Sequence, residues 1–218
     1  MGFILNNFRI QFSNLPKEEK YNVVSHALGA LLAVLGLVVL LVENTYKTKF
    51  SVFGILIYGS AMIGLFMASA IYHSVHRSPL KEKLRILDHI SIYFLIAGTY
   101  TPVTLILLNQ STGWVLFSIV WGIAAIGTIL KLFFTGKYEF VSSLLYALMG
   151  WLILFDIENL KAVTTEQGMQ LLFLGGVFYT VGILFYAVRK IHFNHFIWHL
   201  FVLAGAFSHW LFIFIEVI

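Results

Sequence analysis

The sequence predicts an all-α membrane protein, a polytopic bundle of seven transmembrane helices, and three observations support this prediction. Of its 218 residues 60% are hydrophobic and only 11% are charged, whereas roughly 25% are charged in ordinary soluble domains. Seven apolar segments are long enough to cross a bilayer as helices, for which about 20 residues suffice. Each segment is continuously apolar, whereas the strands of a transmembrane barrel alternate between apolar and polar residues.

The predicted segments are separated by short stretches of polar and turn-forming residues. Their limits are residues 22–42, 50–72, 86–108, 113–133, 140–157, 168–188 and 193–216. No connection is long enough to form a soluble domain, including the longest, DIENLKAVTTEQG. We therefore predict one seven-helix domain, 1–218, that begins with a short cytoplasmic N-terminal segment of about residues 1–21.

The basic residues predict the orientation of the bundle, because Lys and Arg are enriched in cytoplasmic loops. With seven spans, a cytoplasmic N-terminus leaves only Lys47, Lys49 and Lys161 on the outside. The other basic residues then lie inside: Arg9, Lys17, Lys20, Arg77, Lys81, Lys83, Arg85, Lys131, Lys137, Arg189 and Lys190. The prediction is a multi-pass protein of the cell membrane with its C-terminus outside.

Composition also narrows the partners and the metal chemistry. The net charge of +4 would point to nucleic acid in a soluble protein, but here the basic residues lie in short loops and report topology. We therefore expect membrane lipids as partners and no nucleic acid. The chain has no cysteine, so any metal must be held by His, Asp, Glu or carbonyl oxygens.

A few ionisable residues fall within the predicted segments, where such groups are costly and usually face a cavity or a partner. His73 ends the second segment, Asp88 follows the start of the third, and His195 and His199 begin the seventh. All four are predicted at the cytoplasmic side. Ser69 precedes His73 by four residues, on the same helix face and about 6 Å deeper.

The spacing of His195 and His199 places both imidazoles on one helix face. An HxxxH pair alone is more often interfacial or hydrogen-bonded than metal-binding. His73 at matching depth changes this, because three neutral imidazoles with an open fourth position for water form a catalytic zinc site. The ligand types also suit iron, so the residues leave the identity of the metal open.

Two interpretations remain open for Asp88 and for Ser69. Asp88 is either a helix-start carboxylate that complements the helix dipole or an acceptor and general base near the metal. Ser69 either bonds back to a carbonyl in its own helix or hydrogen-bonds a reacting oxygen. His209 lies about 15 Å beyond His199, too far to share its metal, and is predicted to make an interhelical hydrogen bond.

At these residues the chain resembles the hemolysin III family, the bacterial branch of the progestin and adipoQ receptor superfamily. The resemblance covers essentially the whole chain and follows three motifs: Glu18-x3-Asn22-x3-His26, Ser69-x3-His73 with Asp88 downstream, and His195-x3-His199. It implies a zinc ion held by the three histidines at His73, His195 and His199, with Asp88 reaching it through water. It also implies kinship with intramembrane metal-dependent hydrolases, including alkaline ceramidases.

Three function classes follow from these observations. The leading one is a zinc-dependent hydrolase of a lipid amide or ester, with Asp88 and Ser69 as catalytic residues and Glu18, Asn22 and His26 near the site mouth. The second is a non-enzymatic cytolysin or regulator of membrane lipid homeostasis with structural zinc. A retinal protein is excluded because the last segment has no lysine. Only about 20 residues precede the first segment, so we expect no peptide-hormone partner.

Overall fold

The computed structural model describes residues 12–76, 78–188 and 190–218, and these form a helical bundle. Seven helices in this part of the chain are long and apolar enough to cross a membrane. We number them α1 (Lys17–Val42), α2 (Ser51–Ser74), α3 (Pro79–Leu107), α4 (Gly113–Phe134), α5 (Glu139–Val163), α6 (Glu166–Ala187) and α7 (Asn194–Val217). The predicted fold class is therefore confirmed.

Helices α1 and α3 begin earlier than their apolar segments, which were predicted to start at residues 22 and 86. Helix α3 begins with Pro79 at its first position, where a proline costs no hydrogen bond. The Ser78 hydroxyl accepts a hydrogen bond from the Lys81 N–H at 3.2 Å and caps this end. Hydropathy did not predict where α1 and α3 begin, because the first turns of both helices are helical but consist largely of polar residues.

Helix α5 is broken in the middle, and the prediction of a long loop after residue 157 was wrong. It consists of α5a (Glu139–Gly150), a 3-10 turn (Leu152–Asp156) and α5b (Ile157–Val163). The Tyr100 hydroxyl bridges the break, because it donates to the Gly150 carbonyl at 2.9 Å and accepts from the Ile153 N–H at 2.8 Å. These bonds satisfy backbone groups that would otherwise be exposed to an apolar surrounding.

Helix α3 forms the centre of the bundle, and α5 and α6 lie at its periphery. The most apolar stretch of α3 is 72% buried, against 17% in each of α5 and α6. Helix α1 packs along α2, α2 packs along α3, and α7 packs along α6 and also contacts α1. The ends of α2 and α7 that carry the predicted site therefore meet on one side of α3, next to the start of α1.

A glycine allows α1 to approach both α2 and α7 closely. A Cβ atom at Gly29 would lie 2.9 Å from the Phe66 ring of α2 and 2.7 Å from Leu203 of α7. Gly29 lies one turn after His26 on the same face of α1. The close approach at Gly29 therefore brings His26 against the other two helices.

At the opposite end, a carboxylate from α7 joins the start of α6. Glu216 accepts hydrogen bonds from the Thr165 N–H at 3.1 Å and from the Thr165 hydroxyl. The Lys47 ammonium donates to the Glu216 carbonyl at 2.8 Å. These contacts fix the last turn of α7 and hence the axial position of the helix that carries His195 and His199.

Candidate metal centre

Three histidines from two helices converge at one end of the bundle. His73 lies in the last turn of α2, and His195 and His199 lie in the first two turns of α7. One ring nitrogen from each lies within 4.8 Å of the others, and His73 and His199 are buried. This is the grouping that the sequence predicted, and its nitrogens are close enough for one metal ion.

The His73 ring is oriented by a carboxylate that no sequence motif indicated. Its Nδ1 lies 2.5 Å from Glu19 Oε2, and the Asn22 side chain also approaches this nitrogen, at 3.4 Å. Since a carboxylate only accepts hydrogen bonds, Nδ1 carries a proton, and in the neutral ring Nε2 then keeps its lone pair. Within the described residues this buried Nε2 has no hydrogen-bond partner.

The His199 ring is held by two residues of α1. The Ser25 hydroxyl lies 3.4 Å from His199 Nδ1, and the His26 ring stacks on the His199 ring with centroids 3.6 Å apart. His26 is buried, and neither of its nitrogens has a partner in the part of the chain that the structure describes. His26 lies beside the histidine group and outside the set of three.

The backbone of α7 is fixed by Glu18. Phe193 adopts a left-handed conformation with φ of 56°, and α7 starts immediately after it. Glu18 Oε1 accepts a hydrogen bond from the His195 N–H at 3.1 Å, which satisfies one of the free N–H groups of the first turn. The motif formed by Glu18, Asn22 and His26 thus lies within α1, and all three residues contact α2 or α7 next to the histidines.

Asp88 and Ser69 lie in a cavity with His26, His195 and His199. The interpretation of Asp88 as a helix-start carboxylate is wrong, because α3 begins at Pro79. Asp88 is nine residues, or about 13 Å, further along the helix, whereas the helix dipole acts within the first turn. The carboxylate is buried, and Ser69 is one of its polar neighbours.

A second, more apolar cavity adjoins this one deeper in the bundle. Both are lined by Leu65, Ile92, Tyr146, Ile183, Trp198 and Val202. The deeper part extends to His209, whose Nε2 donates to the Leu172 carbonyl at 3.1 Å. The predicted interhelical hydrogen bond of His209 is therefore confirmed, and the space combines a polar end with an apolar extension.

A second ionic cluster lies beside the cavity and was missed in the sequence. Lys131 was counted only as a basic residue of the cytoplasmic side, but it lies in the last turn of α4, is 2% exposed and donates to Glu139 Oε2 at 3.1 Å. Arg85 donates to the other carboxylate oxygen at 3.2 Å, and His89 Nδ1 lies 3.7 Å from Glu139. The available signal was the position of Lys131 within the apolar segment 113–133.

Comparisons with known proteins identify a family that the chain is similar to. A family model described as "Haemolysin-III related" matches residues 15–210. The chain is 41% identical to "Hemolysin-3" of Bacillus cereus over 197 residues, 90% of each chain. It is 40% identical to "Hemolysin-3 homolog" of Bacillus subtilis (strain 168) over 191 residues, 87% of this chain and 90% of that protein.

A more distant similarity extends to animals. The human "Monocyte to macrophage differentiation factor" is 32% identical over 167 residues, which cover 71% of this chain and 66% of that protein. The region matched by the family model includes His73, His195 and His199.

Proposed function

The chain belongs to the haemolysin-III related family, and from this premise we propose that it is a zinc-dependent hydrolase of a lipid amide or ester. The observation that carries the proposal is the convergence of His73, His195 and His199 at one end of a membrane-spanning bundle. The family assignment itself supports an integral membrane protein. The zinc ion and the hydrolytic reaction are the proposed part.

The residues present fit a zinc ion. Three imidazoles are a common ligand set of catalytic zinc sites, with the fourth position open to water or substrate. The buried Nε2 of His73 lacks a partner among the described residues and has its lone pair free for this purpose. When bound, zinc would polarise a substrate carbonyl and lower the pKa of water to about 7.

Asp88 is the residue we assign to proton transfer. Its carboxylate lines the cavity next to the histidines while lying outside the group of three, so it can accept a proton from water without acting as a ligand. We assign the Ser69 hydroxyl, which lines the same cavity and is a polar neighbour of this carboxylate, as its hydrogen-bond donor. Because a hydroxyl has a single proton to donate, we assign Ser69 to the orientation of Asp88 rather than to the binding of an oxyanion.

The shape and lining of the cavity support a lipid substrate. A polar group would lie beside Asp88 and the histidines, and an acyl chain would extend between Leu65, Ile92 and Val202 into the deeper part. Ligand sites typically combine such an apolar lining with a few placed polar groups. With the predicted orientation, a substrate would enter from the inner leaflet.

Turnover of lipid amides and esters by zinc-loaded protein in detergent tests this function. We expect wild-type protein to hydrolyse at least one ceramide or acyl ester, and Asp88→Asn to keep its zinc while losing turnover by about 10²–10⁴-fold. Glu158→Gln is the control, because this carboxylate is 83% exposed and lies in α5b. A zinc-loaded wild type that turns over none of these lipids would remove the support for catalysis.

A second candidate is a non-enzymatic cytolysin or regulator of membrane lipid homeostasis in which zinc joins α2 to α7. The histidines do come from these two helices, and two relatives carry "Hemolysin" in their names. Leakage of dye from liposomes distinguishes the cases. Leakage that is undiminished in His199→Ala would favour lysis without a metal, and absence of leakage would count against lysis.

A further inference from the structure

Two consecutive carboxylates at the start of α1 reach different helices. Glu18 and Glu19 project about 100° apart around the helix axis. Glu18 accepts from the backbone of α7, whereas Glu19 contacts the His73 side chain of α2. The contact of Glu19 is therefore made to the ring of His73, one of the proposed metal ligands.

Each oxygen of Glu19 has its own partner. Oε2 accepts from His73 Nδ1 at 2.5 Å, and Oε1 accepts from the Lys81 ammonium at 3.1 Å. His73 and Lys81 side chains are 4% and 14% exposed, so the carboxylate is held from two sides by groups with little contact with solvent. Short, charge-assisted hydrogen bonds of this kind are stronger than neutral ones.

The contact sets the chemistry of the opposite ring nitrogen. Because Nδ1 donates to the carboxylate, the lone pair of the neutral ring lies on Nε2. A carboxylate behind a metal-binding histidine fixes the tautomer and the ring orientation and raises the basicity of the ligand. His199 has the Ser25 hydroxyl in the corresponding position, a neutral partner that gives less of this effect.

We propose that Glu19 is a positioning residue that fixes and strengthens His73 as a metal ligand, and that Lys81 holds Glu19 in place. This inference rests on the proposed metal site. It assigns the role to Glu19 rather than to Glu18, which is the carboxylate of the three-residue motif on α1. Helix α3 thereby joins α1 and α2 in supporting the ligand through Lys81.

The zinc affinity of purified protein tests this role by competition with a chromophoric chelator. Loss of a carboxylate that supports a histidine ligand typically lowers metal affinity by about 10–100-fold. We expect Glu19→Ala to lower the zinc affinity within this range and Glu19→Gln to lower it by about 10-fold. We expect the zinc affinity of Lys81→Met to lie between that of wild type and that of Glu19→Ala. Glu82→Gln is the control, because it removes a nearby exposed carboxylate of α3.

A spectrum separates the positioning role from a purely structural one. With cobalt in place of zinc, the visible absorption of Glu19→Ala should differ from wild type, and that of Glu82→Gln should not. If Glu19→Ala does not fold, the same comparison is made with Glu19→Gln, which conserves the shape of the side chain. Unchanged affinity and spectrum in Glu19→Gln and Glu19→Ala would overturn this proposal alone, whereas a wild type that binds no metal would overturn it together with the metal site.

Discussion

His26 and His199 lie face to face, with ring centroids 3.6 Å apart and planes 5° from parallel. One ring belongs to α1 and the other to α7, and His199 is one of the three converging histidines. The stacking explains how the motif on α1 contributes to the site without supplying a ligand. It also makes the flat shape of His26 as important as its nitrogens.

Substitutions of His26 should separate shape from hydrogen bonding. His26→Phe keeps a flat ring and removes two buried nitrogens that have no partner in the described chain, so we expect a melting temperature equal to or above that of wild type. His26→Ala leaves a cavity against His199 and should lower stability by about 1–3 kcal/mol. Thermal unfolding in detergent, followed by tryptophan fluorescence, measures both. A His26→Phe protein less stable than His26→Ala would contradict the packing role.

The ion pair of Lys131 and Glu139 should be strongly coupled. Glu139→Gln leaves the buried Lys131 without its counter-charge, and we expect a loss of about 1–3 kcal/mol. This is less than for a fully buried pair, because the Glu139 side chain is 19% exposed.

A double-mutant cycle measures this coupling. Lys131→Met with Glu139→Gln should recover part of the stability lost in Glu139→Gln alone, because the uncompensated charge is gone. Arg85→Gln removes the other cation that binds Glu139. Its effect on stability shows how much a cation with more solvent contact contributes, compared with Lys131. Additive effects of Lys131→Met and Glu139→Gln would show that the pair is not coupled.

Gly29 should tolerate no side chain without cost. An added Cβ would lie 2.7 Å from Leu203 and 2.9 Å from the Phe66 ring, so Gly29→Ala should cost about 1–3 kcal/mol by overpacking. Gly64→Ala is the matched control within the neighbouring helix, because nothing lies within 4 Å of its added Cβ. We expect this variant to be neutral or more stable, as alanine favours helix over glycine. Equal melting temperatures for the two variants would contradict the close approach at Gly29.

Hydropathy and helical spacing predicted the features that depend on single helices. The number of spans follows from apolar length, and the shared face of His195 and His199 follows from the helical repeat. The proximity of His73 required only a common depth and one packing contact between α2 and α7. The first two properties are encoded locally, whereas the proximity of His73 depends on the packing of α2 and α7 and was predicted from matching depth in the membrane.

The contacts that the sequence missed depend on the packing of separate helices. Glu19 contacts His73, 54 residues further along the chain, whereas the motif on α1 contains its neighbour Glu18 and not Glu19. Asp88 was predicted near the start of α3, but it lies deeper in the bundle because α3 begins earlier. Hydropathy did not indicate the early start, because the first turn of α3 is polar. The break in α5 depends on the Tyr100 hydroxyl of another helix, which no local pattern in residues 139–163 reveals.

The metal content of detergent-purified protein is the most direct test of the central claim. Zinc and iron are measured by mass spectrometry in wild type, His73→Ala, His195→Ala and His199→Ala, with the exposed His192→Ala as the control. We predict about one zinc per chain in wild type and His192→Ala, and a large loss in each of the other three. Equal zinc in all five proteins, or none in wild type, would contradict the account.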